Sequence, residues 1–170
     1  FLGLPDWLDK ESLDENDLQM LIFERKFGLI PWLSLPDVKL KEERLLPLLK
    51  AMTLFDFQNS LYEVENLLRE TPADIELQVQ RLNLELLEGK IDIVDQEIRK
   101  IMTEPEALTN ASLYDKWAFC AYQQEDFENA LARSKNAYAN LKMDSPEALD
   151  VISSLSMVLF MAGEEEEAFR

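Results

Sequence analysis

The chain has 170 residues, with 17 Lys and Arg set against 34 Asp and Glu, a formal charge of −17, and 47% hydrophobic residues. So negative a surface repels phosphate backbones and anionic headgroups, which argues against nucleic-acid and membrane-surface binding and favours a basic partner; solubility is the plainer use of the same charge. With no His and one cysteine, Cys120, the sequence excludes an internal disulfide, a cysteine-built zinc site and a Ser-His triad.

The first 37 or so residues stand apart. Ser12-Leu13-Asp14-Glu15 forms a capping box ahead of Leu18, Leu21, Ile22 and Phe23, which predicts a helix over 13–26 that Gly28 ends. Two echoing apolar turns flank it, Gly3-Leu4-Pro5-Asp6-Trp7-Leu8 and Gly28-Leu29-Ile30-Pro31-Trp32-Leu33. Residues 1–37 read as a cap over the open apolar end of the first helix hairpin, or as a Trp-bearing docking or autoinhibitory segment. The acidic residues between Asp9 and Asp17 lack the glycine and the bidentate glutamate of a calcium loop.

Residues 38–170 carry a repeated pattern. Four short breaks interrupt amphipathic helical stretches: Leu54-Phe55-Asp56-Phe57, Glu88-Gly89-Lys90-Ile91, Gln124-Glu125-Asp126-Phe127 and Ala162-Gly163-Glu164-Glu165. Their last residues are 34, 36 and 38 apart, and three places on stands a small or modest apolar residue: Ser60, Val94, Ala130 and Ala168. The repeating unit is helix, tight turn, helix. Pro47 predicts that the first helix of the first unit is kinked or starts late.

These units resemble the tetratricopeptide repeat, whose pattern is W-x2-L-G-x2-Y, then A-x3-F and a closing proline. Tyr114, Trp117, Ala118, Ala121, Tyr122, Ala130 and Ala137 carry the likeness in the third unit. Ile152, Leu155, Ser156, Leu159, Gly163 and Ala168 carry it in the fourth, which stops one turn into its second helix. Val79, Leu82, Asn83, Leu86, Val94, Ile101 and Pro105 carry it in the second, with a turn one residue short. In the first it rests on the second helix, through Phe57, Ser60, Leu61, Val64, Leu67 and Pro72. Val64 and Ser134 depart from the family's bulky aromatic position, and the period departs from a strict 34. The resemblance implies an all-α, right-handed superhelix of helix hairpins, about three and a half of them, truncated at the C-terminus.

It also implies a concave groove lined by the first helix of each unit. Its positions are Gln80, Leu84 and Leu87 in the second unit, then Asp115, Phe119, Tyr122 and Gln123 in the third. In the fourth they are Ser153, Met157, Phe160 and Met161. Such an apolar lining suits an amphipathic helix or apolar peptide, and methionine adapts to several partners. Family members that clamp a C-terminal carboxylate use Lys and Asn, where this chain has apolar or acidic residues.

No phosphate loop, nucleophile elbow or dinucleotide fingerprint occurs. Cys120, between Phe119 and Ala121, reads as a buried structural thiol. No catalytic residue, metal ligand or cofactor is expected, and the chain reads as a protein-binding module rather than an enzyme. It starts on Phe1 rather than Met and stops in a helical pattern, so it reads as part of a longer protein whose remainder packs on its C-terminal end. A scaffold joined to a signalling or transcription-control domain, a secretion-type chaperone and the regulatory domain of an enzyme all fit. No apolar run approaches the ~18–20 residues of a membrane span and no signal peptide is evident, so a cytoplasmic setting is expected.

Overall fold

A computed structural model describes residues 46–53, 56–145 and 147–168. The expected helix over 13–26, its Gly28 stop and the two tryptophan turns lie outside the described residues. The chain divides into two compact units, Phe1–Leu84 and Glu85–Arg170. Among the described residues every regular element is helical.

In the first unit, α1 (Leu46–Thr53) packs on α2 (Phe57–Glu70), and α3 (Ile75–Leu87) follows and runs across the division. Pro47 stands in the first turn of α1 and is exposed, a place where a missing N–H costs nothing. A bend before Leu46 would lie outside the described residues. Asp56 caps α2 by accepting from the Asn59 N–H at 3.1 Å, and Ser60, Val64 and Leu67 form the buried stripe of that helix. Asp74 caps α3 in the same way, accepting from the Leu77 N–H at 3.1 Å.

The second unit continues with α4 (Ile91–Ile101), a 3-10 turn (Ala107–Thr109), α5 (Ala111–Gln123), α6 (Phe127–Ala139), α7 (Ala148–Met161) and the short α8 (Glu165–Ala168). Here α5 packs on α6 and α7 on α8, each pair joined by three residues, which makes each an antiparallel hairpin. Between hairpins, α4 packs on α5, α6 on α7, and α5 on α7. Asn110 caps α5 by accepting from the Leu113 N–H, and Asp126 caps α6 by accepting from the Asn129 N–H. The Asn129 amide and side chain both bond Asp126, which lowers the pKa of its carboxyl.

The four breaks in the sequence share one backbone hydrogen bond. The helices after them begin at Phe57, Ile91, Phe127 and Glu165, the residues whose spacing defines the repeat. In every break the last N–H before the new helix returns to a carbonyl five residues back. These bonds are Asp56 to Ala51, Lys90 to Glu85, Asp126 to Ala121 and Glu164 to Leu159, at 2.9–3.0 Å. In the last three breaks that bond belongs to a Schellman stop, with a left-handed residue just before the donor. Gly89 and Gly163 supply it at φ 78° and 80°, and Glu125 at φ 61°. Glycine is unstrained there, whereas the Cβ of Glu125 is not.

Three places into the new helix, Ser60, Val94 and Ala130 are fully buried and Ala168 is half-buried. In α6, Ala130 and Ala137 are both fully buried, and their small size lets the helix lie close to its neighbours. Ala121, Ala130 and Val158 form one apolar cluster from three helices, with Tyr122 and Leu131 packed against it.

Candidate binding surface and the core that holds it

The residues expected to line a groove take three kinds of place. Leu84 and Asp115 are buried and offer a partner little surface; Leu84 shares a stripe with Leu77, seven residues earlier. Tyr122 is half-buried, against the Ala121 cluster and edge-on to Phe127 with ring centroids 5.9 Å apart. Leu87, Phe119, Gln123, Met157, Phe160 and Met161 are exposed. The large apolar side chains of α5 and α7 among them are conspicuous: Phe119 is 38% exposed, Met157 43%, and Phe160 and Met161 51% each. Helical spacing puts Phe119 on one face with Asp115, Tyr122 and Gln123, and Met157 on one face with Ser153, Phe160 and Met161. The two helices bearing these faces pack on each other.

Beneath them the second unit is fastened by charge. Asp95, on the buried side of α4, accepts hydrogen bonds from Arg99 Nε at 2.7 Å, Trp117 Nε1 at 2.9 Å and Arg133 Nη1 at 3.5 Å. Arg133 also donates to the Trp117 carbonyl at 3.0 Å and lies over its indole, 4.0 Å from the ring centroid. Three consecutive helices are thereby tied at one point. Stacking a buried guanidinium on indole adds about 1–2 kcal/mol to the ion pair. Burial pushes the Asp95 pKa up, but the bonds from Arg99 and Trp117 and the charges of Arg99 and Arg133 outweigh it, so it falls below the ordinary carboxylate value. Burial pulls the Arg133 pKa down while Asp95 draws it up, and guanidinium is basic enough to stay charged either way.

Cys120 lies on α5 beside this cluster, fully buried, its pKa pushed up to about 12 by burial and then by the charge of Asp95. A thiol so held is inert at neutral pH. Ser134, where the family places bulk, is buried, and its hydroxyl finds no hydrogen-bond partner among the described residues. At the outer edge, Gln124 reaches back to Asp92 at 2.9 Å, and Lys135 bridges to Glu164 at 3.2 Å and Glu167 at 3.7 Å. Each contact joins a hairpin turn, or the helix after it, to the second helix of the preceding hairpin.

Asp95, Arg133 and the strained Glu125 did not emerge from periodicity. The signal for the first two was available: one acid and one base interrupt otherwise apolar helix stripes, beside Val94 and between Ala130 and Ala137. Among the described residues no His, Cys, Asp and Glu grouping could hold a metal ion, and no helix is long and apolar enough to cross a membrane. Comparison with protein-family models, curated proteins and solved structures gives no match.

Proposed function

We propose that the chain is a tetratricopeptide-like interaction module that acts without catalysis and binds an apolar or amphipathic segment of a partner protein across α5 and α7. In this reading the hairpins of the second unit stack in the family's right-handed sense. The repeated Schellman turn, the buried small residue three places after it and the sequential packing of α4 through α7 support it. One observation carries the binding assignment. Successive first helices, packed on each other, both keep large apolar side chains at the surface: Phe119 on α5, and Met157, Phe160 and Met161 on α7. Neighbouring exposed apolar groups of this size mark interaction sites more often than they decorate a monomer.

The test is titration of the chain with a fluorescent amphipathic helical peptide. Phe119→Asp and Met157→Asp should each weaken binding about tenfold, roughly 1.4 kcal/mol, while helicity and melting stay unchanged. Unaltered affinity in both variants would overturn the assignment.

A further inference from the structure

We infer that Met157 and Met161 are an oxidation site that governs this surface: a peroxide converts their thioethers to sulfoxides, and the face of α7 that held an apolar segment releases it. The inference rests on the binding reading above and adds its regulation. The two residues stand one turn apart on one face of α7, 43% and 51% exposed, with the exposed Phe160 beside them. Their sulfurs are open to an oxidant while the surface is empty and are covered once a partner lies on it.

The chain has six methionines and one cysteine. Cys120, a thiol that would otherwise compete for the oxidant, is fully buried on α5 with its pKa pushed up to about 12. It has neither the thiolate character nor the access that oxidation requires. Met52 is buried and Met102 half-buried. The exposed methionines among the described residues are Met143, Met157 and Met161, so two of the three belong to the candidate surface. In the reaction a sulfur lone pair attacks one peroxide oxygen and the O–O bond breaks. Hydrogen peroxide is reduced to water, and the sulfur, oxidised by two electrons, keeps the oxygen. A polar acceptor then stands where the surface offered an apolar, polarizable atom, and covering it with an apolar partner costs its hydration. The fold does not share that cost. Val151, Val158 and Leu159 form the buried side of α7, and Met157 and Met161 lie outside it. Reduction of the sulfoxides restores the thioethers, so the change is reversible.

The test treats the full chain with hydrogen peroxide, maps the added oxygen by mass spectrometry and titrates the product with a fluorescent amphipathic helical peptide. Met143, Met157 and Met161 should each gain one oxygen well before Met52. The chain oxidised at Met157 and Met161 should bind the peptide about tenfold more weakly, with its circular dichroism unchanged. Methionine sulfoxide reductases of both stereospecificities should restore the affinity. Peptide bound beforehand should slow oxidation of Met157 and Met161 but not of Met143. Met157→Leu with Met161→Leu, whatever its own starting affinity, should change by less than about twofold on peroxide treatment, because leucine offers no sulfur to oxidise. Met143→Leu should respond to peroxide as the wild type does. Undiminished affinity with both sulfoxides in place would overturn the inference and leave the binding reading standing. An equal loss in the double leucine variant, or a loss of helicity on oxidation, would overturn it as well. If the untreated chain binds no peptide, the binding reading itself falls and the inference falls with it.

Discussion

The third hairpin and the first helix of the fourth adjoin one another and are built on opposite plans. In α5 and α6 the contacts that hold the helices dominate: Trp117 and Arg133 meet Asp95 of the preceding helix, Ala130 and Ala137 are fully covered, and Phe119 is the exposed apolar side chain that α5 adds to the candidate surface. In α7, Val151, Val158 and Leu159 are buried, while Leu149, Met157, Phe160 and Met161 face outward. The contrast separates holding from offering. Directional polar contacts fix one hairpin against its neighbour, and the next keeps apolar area in reserve.

Breaking the fastening should have the largest effect. Asp95→Ala leaves Arg133 buried beside the indole without its carboxylate, and should cost about 3 kcal/mol in urea denaturation. Acid should do the same reversibly. The Asp95 pKa is lowered on folding, so its contribution is complete above the unfolded carboxylate value near ~4 and is lost as pH falls through the folded one. Wild type should therefore lose more stability than Asp95→Ala between about pH 5 and pH 2, and parallel losses would show that the cluster contributes little.

Overfilling the close approach comes next. Ala130→Leu should cost about 2 kcal/mol, since α6 is closely covered at that point. The turns give a smaller effect with a paired control. Glu125→Gly should raise stability by about 1 kcal/mol by relieving the left-handed backbone, and Gly163→Ala should lower it by a similar amount. Thermal melts of the two variants moving in the same direction would contradict the equivalence of the turns. On the offering side, Met157→Ser should change stability by no more than about 0.5 kcal/mol, because the side chain is substantially exposed already. A loss approaching that of Ala130→Leu would make Met157 part of the core and erase the contrast.

The starts of the helices after the four breaks were legible in the sequence to the residue, whereas the second unit's turn has the same three residues as the others and is not one residue short. Helix stops and starts are local events, and Phe57, Ile91, Phe127 and Glu165 come after turn residues whose chemistry does not depend on distant contacts. The small residue three places on was legible for the same reason. The fastening was legible only in part: Asp95 and Arg133 each interrupt an apolar helix stripe, but Asp95 lies 22 and 38 residues from Trp117 and Arg133, and nothing local says that they meet. Glu125 escaped because a turn held in place by its neighbours tolerates a residue that the local preference disfavours. Within the candidate surface, helical periodicity puts Asp115 and Phe119 on one face. It does not distinguish the buried Asp115 from the exposed Phe119, a difference set by what packs alongside.

The uneven repeat length has a practical consequence. Three residues separate the helices at each of the four breaks, whereas four, nine and eight residues make up the connections between them. All of the drift from 34 to 38 therefore comes from the second helices, the first helices and the joining segments, and none from the turns. One rim of the hairpins is set by a bonded motif of fixed size, and the other has already absorbed additions. A fluorophore, affinity tag or tethered partner grafted at the 102–110 connection, beside the exposed Pro105, should leave the packing intact, whereas the same graft at Gln124 should not.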